Sequence, residues 1–132
     1  MPTHELTRVI AAADQAIMAE DFDAVMDVYD DHATLVIRPG LTVVGKGPIR
    51  KAFVAIAEHF DHSLKITQDK MTILESGDTA LVLAEAVLQV RGATGAPQSL
   101  VRRATYVFRK NAAGKWLCLI DNSYGTDLLN EG

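Results

Sequence analysis

Val101-Arg102-Arg103-Ala104-Thr105-Tyr106-Val107-Phe108-Arg109-Lys110 runs into Asn111-Ala112-Ala113-Gly114 and then into Lys115-Trp116-Leu117-Cys118-Leu119-Ile120-Asp121-Asn122-Ser123-Tyr124-Gly125. Two runs rich in β-branched and aromatic residues flank a short break containing Gly114, the pattern of a long antiparallel hairpin. With Lys110 facing Lys115, Arg103 falls opposite Asn122, Ala104 opposite Asp121 and Tyr106 opposite Leu119. Side chains alternate across a strand. One face therefore carries Arg102, Ala104, Tyr106, Phe108, Leu117, Leu119, Asp121 and Ser123. The other carries Arg103, Thr105, Val107, Arg109, Trp116, Cys118, Ile120 and Asn122. Both faces are mainly apolar, which predicts that both are covered. Each also holds charged groups, and a buried charge needs a partner or a chemical role.

Working outward, Thr79 to Val90 and Leu64 to Glu75 read as two more long strands. Ser76-Gly77-Asp78 and Arg91 to Pro97 supply turn chemistry between them. Before residue 64 the periodicity changes from two to about 3.6. Leu6, Val9, Ile10, Ala13 and Ile17 form one helical stripe, with Thr3 placed to cap it and Asp14 breaking its apolar run. Asp21 can cap a second helix with the stripe Phe22, Val25, Met26 and Tyr29. Ala33 to Ile37 and Leu41 to Val44 read as short strands about the Pro39-Gly40 turn. Gly47 and Pro48 start a third helix whose buried positions are Ile49, Phe53, Ile56, Ala57 and Phe60. Helices first and an antiparallel meander last predict an α+β domain whose helices cover one face of the sheet.

Composition sets the bounds. The 132 residues suffice for a single domain, 1–132, with a sizeable core, and 48% apolar and 23% charged residues are ordinary globular values. The net charge is −4, and between Arg8 and Arg38 there is no Lys or Arg. Asp14, Glu20, Asp21, Asp23, Asp27, Asp30 and Asp31 all lie in that interval, which argues against a nucleic-acid partner. No apolar run approaches the ~18 residues of a membrane span and no basic leader precedes the first helix, so no membrane partner and a cytoplasmic location are expected. The lone Cys118, beside Trp116 and Ile120, is expected to be a buried, inert thiol.

The order helix, helix, short strand pair, helix and four long strands, together with Gly77-Asp78-Thr79-Ala80, Thr105-Tyr106-Val107-Phe108 and Gly114-Lys115-Trp116, resembles the nuclear transport factor 2-like superfamily. It is most similar to the ketosteroid isomerase-like, SnoaL-like branch. The resemblance covers essentially the whole chain. It implies a cone-shaped, strongly curved, mainly antiparallel sheet wrapped around three N-terminal helices, an apolar cavity at the open end, and an outer sheet face that forms a homodimer. The Gly-Lys-Trp before the last strand also resembles the calcium/calmodulin-dependent kinase association domain. That likeness puts Tyr106 and Ser123 on the cavity face, and with them Arg102, Ala104, Leu119 and Asp121.

Pairing Val90 with Gln98 supports the same choice, because Glu85 then faces Arg103 and Ala86 faces Arg102. Ala84, Ala86 and Ala104 cluster on the cavity side, where small residues leave room for a ligand. Glu85, Arg103 and Trp116 fall on the opposite face, with a cross-strand ion pair to set register at a dimer interface.

Asp121 is the leading candidate for chemistry. Apolar surroundings raise a carboxyl's pKa towards that of a useful base, while Arg102 would lower it. Asp121 is thus either a general base, with Arg102 and Tyr106 stabilising charge on oxygen, or a structural partner of Arg102 or of backbone amides. Tyr29 and Tyr106 can donate hydrogen bonds to a ligand, although Tyr29 in an apolar stripe reads first as core. His59 and His62 stand at helical spacing with Asp61 between them. No third ligand is apparent, so no metal is expected, and His4 and His32 read as solvated. No glycine-rich phosphate loop is present, so no nucleotide or other cofactor is expected.

Set beside the family, the first helix lacks the tyrosine, and Leu35-Val36-Ile37-Arg38 lacks the aspartate, of a steroid isomerase-like site. An epoxide hydrolase-like Asp-Arg-Asp arrangement lacks an obvious second aspartate. SnoaL-like cyclases, which keep an acid on the last strand, fit best. The expected partner is a small apolar organic molecule, and the expected chemistry is that of an isomerase, cyclase or dehydratase. The alternative is a non-enzymatic ligand-binding or association module.

Overall fold

The computed structural model describes residues 4–91 and 95–130, so the expected Thr3 cap lies outside the described residues. Helix α1 (Glu5–Met18) starts on His4, whose Nδ1 accepts the Leu6 amide at 3.0 Å. That bond satisfies one of the amides orphaned at any helix start. Helix α2 (Phe22–Met26) is a single turn capped by Asp21, whose carboxylate accepts from the Ala24 amide.

The chain leaves the helical path sooner than the apolar stripe predicts. Tyr29 is the first residue of strand β1 (Tyr29–Arg38) and no part of α2. The periodicity misleads here because a buried tyrosine fits the next position of a helix or the first of a strand equally well. Strand β2 (Leu41–Val44) returns after Gly40, which has φ of 85°, and helix α3 (Lys46–His59) follows Gly45. Pro48 sits in the first turn of α3, where no intrahelical amide bond is lost.

The long strands are β3 (Lys65–Ser76), β4 (Thr79–Arg91), β5 (Pro97–Lys110) and β6 (Trp116–Asn122), and a 3-10 turn at Gly125–Leu129 closes the described chain. Among the described residues β1 to β6 form one six-stranded sheet in the order β2-β1-β6-β5-β4-β3, antiparallel except for the parallel β1–β6 pair. The fold is α+β, with helices against an open, curved sheet.

The β4–β5 register is the expected one, with Glu85 facing Arg103, Ala86 facing Arg102 and Val90 facing Gln98. The β5–β6 register differs. Lys110 faces Trp116, and a bulge between Val107 and Phe108 leaves Leu119 unmatched, so that Tyr106 faces Asp121. Beyond the bulge the shift from the expected register is two residues, which keeps Asp121 on the face of Tyr106. Before it the shift is one residue, which exchanges the faces.

Trp116 is the casualty of that exchange. Expected at the outer dimer face, it is 3% exposed and packs in the core beside Phe108 and Cys118. Leu119, expected to touch a ligand, is the bulged residue and does not line the cavity.

A second bulge between Gln68 and Lys70 lets Gln68, opposite Ala86, and Met71, opposite Ala84, lie on the same inner face. The core sits between that face and the helices. Leu6 and Ile10 of α1, Val25 and Met26 of α2, and Ile49 and Ala52 of α3 pack with Leu35, Val82, Phe108 and Trp116. Ala84 and Ala104, offered as cavity residues, are buried in the sheet's inner face, whereas Ala86 reaches the cavity wall. Among the described residues no helix is long and apolar enough to cross a membrane.

Candidate functional site

The helices do not fill the curved sheet. Between α1, α3 and the inner sheet face lies a cavity of about 690 Å³, a volume suited to a small organic ligand. Its wall is largely apolar, with Ile10 and Ile17 from α1, Phe53 and Ile56 from α3, and Ile66, Leu88 and Leu100 from the sheet. The polar exceptions are Asp14, Tyr29, Arg38, His59, Gln68, Arg102, Tyr106, Asp121, Ser123 and Tyr124.

Asp121 reaches the wall from the end of β6. Its Oδ2 accepts a 2.6 Å hydrogen bond from the Tyr29 hydroxyl, which ties the start of β1 to the end of its parallel neighbour. Its Oδ1 is buried and has no hydrogen-bond partner among the described residues. A carboxylate with one oxygen satisfied and one unpaired is costly, and burial raises its pKa above the ordinary value while the Tyr29 hydrogen bond opposes the rise. Both tyrosines beside it respond to the same field. Burial raises the Tyr29 hydroxyl and the negative charge of Asp121 raises it further; Tyr106 is raised by burial and then by the charges of Asp121 and Asp14. Both phenols are therefore protonated donors at neutral pH. Cys118, also on the wall, is buried as expected from the sequence, and burial raises its thiol.

Arg102 lines the cavity, but among the described residues no ion pair joins it to Asp121. Its guanidinium lies 5.0 Å from the centre of the Tyr124 ring, a cation–π contact that holds the charge at the wall. The partner of Asp121 is Tyr29, a pairing hidden in the sequence because Tyr29 read as a helical core residue. Ser123 and Tyr106 line the cavity as expected.

Sequence reasoning missed Asp14 and Gln68. Gln68 Nε2 donates to Asp14 Oδ2 at 2.9 Å, and Gln68 Oε1 is buried without a partner. Burial pushes the Asp14 carboxyl up to about 6, the Gln68 bond opposes the rise, and the charge of Asp121 adds to it. The signal was present for Asp14, which interrupts the apolar stripe four residues after Ile10 and so lies on the buried face. For Gln68 the bulge after it concealed which side of β3 faces inward.

The two histidines of the third helix's end separate. His59 lies at the cavity wall, whereas His62 bonds Glu20 at 2.8 Å on the exterior. Among the described residues no cluster of three or more His, Cys, Asp or Glu side chains is arranged to hold a metal.

The family model described as SnoaL-like domain matches residues 6–118. No curated protein matches the chain. Among solved structures, Aln2 from a Streptomyces species superposes with a TM-score of 0.81 at 21% identity, covering 98% of this chain and 96% of Aln2. The CaMKII hub of S. rosetta gives a TM-score of 0.72 at 26% identity over 92% of this chain and 96% of the hub. An NTF2-like protein of unknown function from Pseudomonas putida gives 0.74 at 19% identity, over 89% and 81% of the two chains. The helices and six-stranded sheet have the fold of the NTF2-like protein, and the family match over most of the chain places it in the SnoaL-like domain family.

Proposed function

We propose that the chain acts as one domain whose cavity binds a small, largely apolar, carbonyl-bearing organic molecule and carries out cofactor-independent proton transfer on it, in the manner of an isomerase, cyclase or dehydratase. The observation that carries this reading is the Asp121 carboxylate, fixed at Oδ2 by Tyr29 and unpaired at Oδ1, at the wall of an apolar cavity. A carboxyl raised by burial is a stronger base than an exposed one and is suited to taking a proton from carbon beside a carbonyl. Tyr106 and Arg102 supply donors for negative charge developing on the carbonyl oxygen, and neither needs to change protonation state to do so. Ala86 and Ser123 complete the contact surface on the sheet side.

The test is a thermal-shift screen of the wild-type protein and Asp121→Asn against planar ketones, enones, lactones and aromatic carboxylates. Hydrogen–deuterium exchange at the carbon beside the carbonyl is then followed by NMR for each ligand that binds. A ligand at about 100 times its dissociation constant adds roughly 2.7 kcal/mol and is readily detected. Asp121→Asn should keep ligand binding and lose exchange. Exchange that is undiminished in the variant would overturn the role given to Asp121.

A second reading is favoured by the outer sheet face, where Leu74, Leu83, Val101 and Ile120 are 54%, 42%, 56% and 43% exposed. That strip surrounds the Glu85–Arg103 pair and supports a homodimer, with the domain serving as an association module. The likeness to a hub domain adds weight to it. Absence of any ligand-induced shift together with a stable dimer would favour association over catalysis.

A further inference from the structure

We propose that Asp14 is a second proton-transfer residue of the cavity, presented from the helix layer while Asp121 is presented from the sheet, and able to act as a base in its own right. The proposal rests on the cavity being a ligand site, as argued above. It is carried by placement: Ile10, Ala13 and Ile17 of α1 line the cavity, and Asp14 lines it among them in the middle of an otherwise apolar face. A carboxylate there is expensive to keep, and a structural role would be expected to satisfy it fully. Instead the one hydrogen bond to its carboxylate among the described residues comes from Gln68, while a carboxylate offers about four acceptor sites. Gln68 is in turn left with a buried, unpaired Oε1. It acts as a positioning residue, fixing Asp14 by its amide N–H and offering the carbonyl oxygen to an O–H or N–H of the ligand.

The ionisable groups that share the wall with Asp14 are Asp121 and Cys118 from β6, Tyr106 and Arg102 from β5, Tyr29 and Arg38 from β1, and His59 from α3. Burial and the charge of Asp121 hold the Asp14 carboxyl near 6, so it is ionised at neutral pH yet more basic than an exposed carboxylate. Two carboxyls in one cavity do not lose their protons together. At a pH between the two steps one carboxyl is a base and the other a proton donor, which is what proton removal from carbon with protonation at oxygen requires.

The probe is nitrobenzisoxazole, a planar apolar heterocycle that needs a base and no co-reactant. The base takes the ring C–H proton beside nitrogen, the C–H electron pair forms the nitrile, and the N–O bond breaks with its electron pair leaving on oxygen. The product is a coloured cyano-nitrophenolate. Turnover by the wild type should rise with pH through about 6. Asp14→Asn should lower it by about a hundredfold or more and remove that inflection, whereas Asp14→Glu should restore both in part. Asp121→Asn should lower turnover too, and the part that depends on Asp14 should show its inflection at lower pH, because a charge that raises Asp14 has gone.

Wild-type rate and pH profile in Asp14→Asn, with turnover abolished in Asp121→Asn, would overturn the proposal and leave the cavity reading standing. No thermal shift with the probe and no turnover in any variant would overturn both.

Discussion

At the residue scale, a charged group on the buried face of a helix is a stability liability with a known pH dependence. Asp14 has an ordinary carboxyl pKa of 3.8 when unfolded and one of about 6 when folded, so the folded state holds the proton more tightly. Between those values the folded protein binds more protons than the unfolded chain, and stability falls as pH rises; above about 6 the loss is complete and constant. Asp121, raised in the same direction by burial, adds to the trend with the same sign. Asp14→Asn keeps an oxygen to accept the Gln68 bond and cannot ionise. It should therefore be more stable than the wild type by about 2 kcal/mol at pH 8, with the gain vanishing below about pH 4. Urea denaturation at the two pH values checks this, and equal gains at both would show that the effect is not electrostatic. The residue that destabilises the fold is also the one proposed to move protons, a pairing common at sites that trade stability for activity.

At the element scale, the strand ends place the chemistry. Asn122 closes β6 by donating to the Thr105 hydroxyl at 3.2 Å and the Gly125 carbonyl at 3.1 Å while accepting the Tyr124 amide. This clip seats Tyr124 against Arg102, so the residue that caps the 3-10 turn is part of the cavity wall. Gly125 has φ of 54°, and a Cβ added there would run into the Arg103 carbonyl oxygen on β5. Gly125→Ala should cost about 2 kcal/mol or more, read as a lowered urea midpoint with unchanged slope, since both the backbone conformation and the close approach forbid a side chain. The sequence showed most of this element layer. Residue alternation and turn chemistry located β3, β4, β5 and β6, and the Glu85–Arg103 register followed from a short turn. It could not show the bulge at Leu119, because one unmatched residue leaves no mark on composition or alternation, yet it decides that Trp116 and Cys118 face inward. Asp121 keeps its expected place on the cavity face because a shift of two restores the face; Trp116 loses its expected place on the outer face because a shift of one exchanges it. The Tyr29–Asp121 bond was illegible for a different reason, since it joins residues far apart in sequence through a parallel pairing that no local pattern encodes.

At the scale of the whole molecule, a sheet with helices on one side leaves its other side to water or to a partner. The outer strip of Leu74, Leu83, Val101 and Ile120 supports the homodimer proposed above, with Glu85 and Arg103 in its midst at 3.8 Å. Within one chain that pair contributes little, because Arg103 is largely exposed and water screens it. In a dimer the same charges would be enclosed, and their effect would depend on how they are paired. Arg103→Glu places like charges side by side on β4 and β5 in both copies and should dissociate the dimer, whereas Arg103→Met, which removes the charge but keeps an apolar stem, should leave it intact. Val101→Asp, at the most exposed apolar position of the strip, should dissociate it without touching the pair. Light scattering during size-exclusion chromatography over a range of concentrations gives the mass of each variant, and circular dichroism verifies that each is folded. A wild-type dimer that persists in both Arg103→Glu and Val101→Asp must use another surface. Dissociation in Arg103→Met as well would make the ion pair, and not the apolar strip, the main contact. Because the cavity opens on the opposite side of the sheet from this strip, monomeric variants should still bind cavity ligands, which allows association and chemistry to be measured separately in the same protein.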